Sequence, residues 1–328
     1  MAGPFYANIR ATSSGAAGTG AFTPSAAVLG AQAWSDVPAG WCGLVRYEDG
    51  TAAELAYSYW NGTTLTRPTN GFVWSTTGSR LNLTSAATAS LTMDGSEVQP
   101  HLAGPNWSIM VPLPGATTIN SVGAVNTNIG TPTLEVIAAT NYLTEQPRLK
   151  WTSATTANAA AGVHMGTSPR MVHNTTAGRG GGEFVCRFGV SQLPTAPRLV
   201  AGLATAILSS AAEPSTYFNT AMFAKDSTDT NIQFMTNDGA GAAGKVDTGI
   251  PLVTTGWYEA SVWFDPGGGK FYGLLIRLDT GDIWYGTVAS NIPVNGALMV
   301  PLVWGSLSAT TGTAIVIHIG TMMTRNGA

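Results

Sequence analysis

The residues that could do chemistry are few and scattered. Glu48, Asp49 and Glu54 are the densest early acids, and Asp279 with Asp282 brackets a turn. A glycosidase needs two carboxyls about 5–10 Å apart in a cleft. Both sets read better as turn formers, although spacing alone does not exclude a depolymerase. The four histidines, His101, His164, His173 and His318, have no metal-ligand spacing. His318, in TAIVIHIGTMM, reads as a hydrogen-bonded strand residue. AKDSTDTN (224–231) offers Asp226 and Asp229 to a calcium ion but lacks the EF-hand spacing and its closing Glu. GAGAAG (239–244) matches the letters of the dinucleotide fingerprint. That fingerprint needs a strand before it and a helix after it. The next residues, KVDTGIPLV, hold Gly249 and Pro251, which block a helix, so the motif reads as a loop. There is no G-x-S-x-G elbow. The reading is of a non-enzyme without cofactor or bound metal.

Aromatic residues are the other candidate chemistry. Trp257, Tyr258, Trp263, Tyr272, Trp284 and Tyr285 fall within one predicted meander. Aromatic rings pair an apolar body with a polar tip, so one or two on an outward strand face suffice to stack a sugar. Trp257, Tyr272, Trp284 and Tyr285 are the glycan-contact candidates, and the remaining rings read as core.

The elements that must carry these residues are strands. Helical windows are missing, and short alternating runs bounded by Gly, Pro, Asn and Asp recur. The segment YEDGTAAELAYSYWNGTTLTR (47–67) shows the pattern. Asn61-Gly62 is a strong hairpin signal, because a type I′ turn needs positive φ at both central residues. It predicts strands over 54–60 and 63–67, with Trp60 opposite Thr63, Tyr59 opposite Thr64 and Ser58 opposite Leu65. Leu55, Tyr57 and Tyr59 share one face, while Ala56, Trp60 and Leu65 share the other. A free hairpin keeps one polar face. This one is expected to be covered on both sides, by its own sheet and by another chain. Tyr57, Tyr59, Trp60, Leu65 and Arg67 are therefore the assembly-interface candidates.

Further strands are predicted around Phe72 and Trp74, Leu81 and Leu83, and Leu91 and Met93, ahead of a Pro-rich passage at 99–115. Residues 116–147 are Thr/Asn/Gly-rich and hold one strand candidate, 134–138, and the segment 116–162 as a whole closes the first region off from the second. It ends in SATTANAAAG (153–162), which reads as a linker or as an extended segment along a neighbour. A strand at 183–190, a meander at 257–265, 271–278 and 283–288, and strands at 298–304 and 313–323 complete the pattern. The fold class is all-β with two β-rich domains: a hairpin-rich N-terminal β domain (1–115), a linker or extended segment (116–162), and a C-terminal jelly-roll-like β-sandwich (163–328).

Composition narrows the function classes. Only 10% of the 328 residues are charged, against about 25% in typical soluble domains. Interface cores are depleted of charge, so much of the surface is expected to lie against other subunits. A formal net charge of −3 leaves no electrostatic footprint for nucleic acid. No apolar run reaches the length of a signal peptide or a membrane helix, so neither secretion nor membrane insertion is expected. Without a secretory signal, the sequons at Asn61, Asn82, Asn106 and Asn174 read as turn and strand residues. Cys42 and Cys186 lie far apart and read as two buried thiols in a reducing compartment.

The segment from Glu54 through LAYSYWNG to TTLTR, followed by STTGSRLNL and SLTM, resembles a motif of tailed-phage virion proteins. In that motif an acid opens an aromatic hairpin that closes on TLTR, and a strand–turn–strand comes next. FVCRFG, PSTYFNTAMFAKDSTDTNIQFMTND and the LDTG meander are similar to the β-sandwich heads of such proteins. Here Glu54 is flanked by Ala53 and Leu55, where the family often has a Trp. The chain has no coiled-coil heptads or β-helix repeats, which favours a compact appendage over a long shaft. The resemblance implies a homotrimer in the virion, assembled in the host cytoplasm with other virion proteins. Its N-terminal part would attach to the particle and its C-terminal part would face outward. The expected function is a non-enzymatic tail fibre or receptor-binding protein contacting a host surface glycan. A capsid-decorating or neck fibre is the alternative, and a glycan depolymerase ranks last.

Overall fold

The computed structural model describes residues 9–28, 33–37, 39–68, 72–91, 107–112, 119–122, 127–165, 171–205, 210–241, 243–308 and 312–326. The described residues form an all-β protein of antiparallel sheets. The chain divides into two compact units, Met1–Gly104 with Gly281–Tyr285, and Pro105–Thr280 with Gly286–Ala328.

The first unit is built on a seven-stranded sheet. Its strands are β1 (Arg10–Ser13), β2 (Pro24–Ala27), β3 (Trp41–Asp49), β4 (Ala52–Trp60), β5 (Leu65–Thr66), β6 (Phe72–Ser75) and β7 (Thr88–Leu91), in the order β2-β1-β7-β3-β4-β5 with β6 also on β4. The aromatic segment is therefore two strands of a longer ribbon, since β3 pairs with β4 from Trp41↔Trp60 to Asp49↔Ala52. The turn after Trp60 differs from the expected one. Trp60 faces Leu65 and Tyr59 faces Thr66 across a four-residue loop. Asn61 is not in the left-handed region that a type I′ turn demands, whereas Gly62 is, at φ 94°. Instead the Asn61 side-chain oxygen accepts from the amides of Thr63 and Thr64, at 2.9 and 2.7 Å. An Asx-type turn has replaced the tight hairpin. The register slips by two residues, so side-chain parity survives: Ala56, Trp60 and Leu65 still share a face.

That face is the core of the unit. Trp60 and Leu65 pack with Phe22, Trp34, Val45 and Tyr47 in one buried cluster. The Trp34 and Trp60 rings lie 5.7 Å apart, and the Trp60 indole N–H donates to the Val37 carbonyl at 2.9 Å.

The second unit is a sandwich of two sheets. The eight-stranded sheet contains β10 (Thr127–Ile129), β13 (Ala160–His164), β14 (Met171–Val172), β16 (Arg198–Ala204), β17 (Thr220–Lys225), β18 (Asn231–Asn237), β19 (Ala243–Pro251) and β23 (Leu298–Ser306). The nine-stranded sheet contains β8 (Trp107–Pro112), β9 (Ile119–Val122), β11 (Pro132–Leu134), β12 (Leu149–Thr152), β15 (Gly182–Gln192), β20 (Trp257–Phe264), β21 (Phe271–Arg277), β24 (Val316–Asn326) and β22 (Asp282–Val288), of which only the part from Gly286 is counted in this unit. Their inner faces meet at Gly273, where an added Cβ would come within 3 Å of the Phe223 and Phe234 rings. The expected strands of the C-terminal half are all present, and β20-β21-β22 is the expected meander.

Three expectations about the middle of the chain are corrected. Residues 116–162 are not a linker, because β9 to β12 and most of β13 fall within them and pair into both sheets of the second unit. SATTANAAAG is part of this: Ser153 is buried, and Ala160–Gly162 sit in register against Trp304–Ser306. Small residues are required there. Gly162 has φ 150°, and a Cβ on it would stand 2.3 Å from the Val303 carbonyl oxygen. The boundary between units falls at residue 104 rather than 115, so Trp107–Pro112 belongs to the sandwich. The expected strand at 134–138 is confined to Pro132–Leu134.

Candidate functional site

The residues carrying the sequence motif of the first unit converge on one buried ion pair. Glu54 stands opposite Tyr47 on β4, and Arg67 comes directly after β5. Arg67 Nη2 donates to Glu54 Oε2 at 2.7 Å, and both side chains are fully buried. The same carboxylate oxygen accepts from the Leu81 amide at 2.7 Å. The guanidinium also donates to the carbonyls of Gly18 and Leu81, each at 3.0 Å, and lies over the Tyr47 ring, 4.8 Å from its centroid. Arg80 caps the carbonyls of Arg67 and Pro68. The acid, TLTR and RLNL are thus three segments of one lock, held by charge-assisted bonds in a dry interior.

Among the assembly-interface candidates, Trp60, Leu65 and Arg67 are spent inside this unit. They have no surface left for another chain. The reason is the capping of their face by β1, the Trp34 segment and the 81–89 region, which the local alternation does not reveal. Tyr57 and Tyr59 lie on the opposite face and are half-buried. Trp74, in register with Leu55 on that face, is 51% exposed.

The glycan-contact candidates also divide. Trp257 and Trp284 are buried, while Tyr272 and Tyr285 are half-buried. Trp263 and Tyr272 are cross-strand partners whose rings stack 5.5 Å apart and within 8° of parallel. The Tyr272 hydroxyl donates to Asp265 at 3.2 Å. In register beyond Trp263 stand Glu183 and then Arg325, both half-buried. An aromatic pair, a carboxylate and a guanidinium therefore form a row across four strands of the outer face. Side-chain direction alternates along a strand, and the intervening Val262, Phe264, Phe271 and Gly273 are buried inside.

The acids considered for catalysis are engaged by their own chain. Glu48 pairs with Arg10 and Arg46, and Asp49 accepts from Thr84. Asp279 is held by Arg277 at 2.8 Å. Between Asp226 and Asp229 the cation is the Lys245 ammonium, at 2.9 and 2.7 Å. Among the described residues no group of three or more His, Cys, Asp or Glu is placed to hold a metal. The GAGAAG stretch leads into strand β19, not a helix. Cys186 is buried, and burial pushes its thiol pKa up. The Cys42 side chain, His101, Asn106 and Met93 lie outside the described residues.

His318 Nε2 lies 2.7 Å from the Ser191 hydroxyl. Burial, with the Arg148 charge adding, pushes the imidazole down to about 4, although Glu135 opposes the shift. A base that weak does not activate a serine near neutrality, so the pair reads as structural. The low pKa makes stability depend on pH. The unfolded imidazole titrates near 6.5 and the folded one near 4, so between these values the unfolded chain binds a proton that the fold excludes. The contribution is intact above pH 6.5 and is lost as pH falls toward 4, reaching about 3 kcal/mol at 1.36 kcal/mol per pH unit. Urea unfolding at pH 7, 5 and 4 should show this loss, and His318→Gln should remove that share of it. An unchanged pH slope in the variant would refute the assignment.

No protein-family model and no curated protein matches the chain. Among solved structures, a Shewanella oneidensis protein of unknown function aligns at TM-score 0.48 and 16% identity, over 72% of this chain and 95% of that one. A Ulex europaeus lectin complexed with galactose, UEA-II, aligns at 0.44 and 9%, over 69% and 100%. Peanut lectin aligns at 0.40 and 12%, over 62% and 98%. At this level they are loose likenesses among β-rich proteins.

Proposed function

We propose that the chain is a non-enzymatic structural protein of a tailed-phage virion, a tail-attached fibre or receptor-binding protein that assembles as a homotrimer. The first unit attaches to the particle, and the sandwich meets a glycan of the host surface. One observation supports this most. Three of the segments that carry the resemblance to virion proteins, the Glu54 strand, TLTR and RLNL, close on one another through the buried Glu54–Arg67 pair. The motif thus describes a pre-formed module whose second face exposes Trp74, while Tyr57 and Tyr59 on that face already pack against Tyr285 and Gly281 of the same unit. Obligate interfaces use such aromatic, charge-poor surfaces. The carboxylates engaged by the chain's own cations and amides fit a binder better than a hydrolase.

Labelling the protein on intact particles tests the reading. Signal at the tail tip is expected, together with competition between the purified trimer and particles for adsorption to cells. Signal on the head or neck would make it a decorating protein, and absence from purified particles would end the virion assignment.

A further inference from the structure

The GAGAAG stretch is left without a role by this reading, and it lies beside an uncovered aromatic ring. Thr220 and Asn237 are in register at the ends of β17 and β18, so Phe218–Asn219 and Asp238–Gly241 emerge side by side. The Asn219 amide donates to the Asp238 carbonyl at 3.0 Å. Phe218 is 55% exposed, and its ring lies against Gly241, where a Cβ would stand 2.6 Å from the ring. Gly241 has φ +81°, so both backbone and space require glycine there.

The polar groups around the ring are fixed but only half used. Asn219 holds a left-handed backbone, φ 50°, and its side-chain oxygen accepts from the Val294 amide at 2.9 Å. Its NH₂ group has no hydrogen-bond partner among the described residues. One Asp238 carboxylate oxygen accepts from the Ala240 amide at 2.8 Å, and the other has none among the described residues. Asparagine adopts this left-handed backbone readily, so the turn fixes the side chain without strain. Behind them, Thr220 Oγ1 and Asn237 Oδ1 are buried without partners among the described residues. Buried polar groups left this way have a desolvation cost of about 1–3 kcal/mol each.

An open aromatic face beside a fixed carboxylate and a fixed amide donor suits a pyranose. Its C–H face packs on the ring, while its hydroxyls donate to Asp238 and accept from Asn219. The set contains an anion and no cation, which favours a neutral sugar over an acidic one. We infer that Phe218, Asn219 and Asp238, seated on the Gly239–Gly241 turn, bind a single neutral pyranose at the end of a glycan chain. This rests on the glycan-contact reading above and places the contact at the loop end of the sandwich rather than on the outer face of its meander.

The test uses the full chain and saturation-transfer NMR with glucose, galactose, mannose, N-acetylglucosamine and sialic acid as separate probes. Transfer to at least one neutral sugar and none to sialic acid is expected. Phe218→Ala and Asp238→Asn should each weaken that binding at least tenfold with an unchanged melting curve, since both side chains are partly solvent-exposed. Binding within twofold of the parent in both variants would overturn the site. So would loss of binding on Trp263→Ala with Phe218→Ala intact, which would place the contact on the sheet face and leave the proposed function standing. If no sugar binds but the chain still blocks particle adsorption, the site fails and the function survives. If it does neither, both fail.

Discussion

Arg67→Ala is expected to destabilise the first unit by about 3–5 kcal/mol, the range for removing one partner of a buried ion pair. The substitution strands the Glu54 carboxylate in a fully buried position with only the Leu81 amide as a donor. It also leaves the carbonyls of Gly18 and Leu81 without the guanidinium. For a unit of this size each kcal/mol moves the melting point by about 4–8 °C, so the first transition should fall by more than about 10 °C. The second unit's transition should be unaffected if the two unfold separately. Glu54→Ala should be comparably damaging, because it buries an unpaired guanidinium. The double substitution Glu54→Leu with Arg67→Met should recover much of the loss, because well-packed apolar replacements remove the desolvation cost together with the pair. Glu54 Oε1 and Arg67 Nε are already without partners among the described residues, which leaves that cost incompletely offset in the native protein. Calorimetry of the parent, Arg67→Ala, Glu54→Ala and the combined Glu54→Ala/Arg67→Ala chain gives the coupling directly. Additive losses in the double variant would show that the two residues act independently and that the motif is not a lock.

The parts of this fold legible in the sequence are those whose signal is local. Strands β15, β20, β21 and β22 are apolar-rich runs of seven or more residues bounded by Gly-, Pro- or Asp-bearing segments, so they fall where those local signals place them. The parity of the Tyr57–Trp60 segment is legible too, because period-two alternation is indifferent to a slip of two residues. What is not legible depends on partners distant in the chain. β10 and β11 are three residues each, too short to alternate, and exist because β13 and β12 offer edges to pair with. The Ala-rich 153–162 stretch looks like a linker because small residues are also what a crowded strand needs. The end of β4 curls into an Asx-type turn because Asn61 satisfies two amides with its own side chain, an outcome that the Asn-Gly pair alone does not distinguish from a tight hairpin. For the site, the sequence singles out the aromatics of the meander but does not assign them to inside or outside. Phe218 lies in PSTYFN and Gly241 in GAGAAG, yet their meeting is a property of the β17–β18 register.

Trp257→Ala should decide this inside–outside question most sharply. As a glycan contact its truncation would weaken binding and leave the fold alone. The structure places it otherwise. Trp257 sits on the same strand face as Trp263, but it is only 1% exposed. Its ring occupies a slot made by two strand glycines. A Cβ on Gly189 would stand 2.7 Å from the indole and 2.7 Å from Leu143, and one on Gly320 would stand 2.9 Å from the indole. The Leu143–Pro147 stretch covers the outer face of the sheet at this end, which is why alternation alone mistakes an interior position for a surface one. Removing the indole leaves a cavity that neighbouring backbone cannot fill, and Trp→Ala in such places costs about 3–5 kcal/mol. The second unit's melting transition should drop accordingly. Gly189→Ala and Gly320→Ala should destabilise in the same direction, since each new methyl competes with the ring for its slot. Trp263→Ala, half-exposed on the uncovered end of the same strand, should cost less than about 1.5 kcal/mol, near the worth of its stack with Tyr272. Equal losses for the two tryptophans would mean that the meander's outer face is covered along its whole length and is unavailable to any ligand.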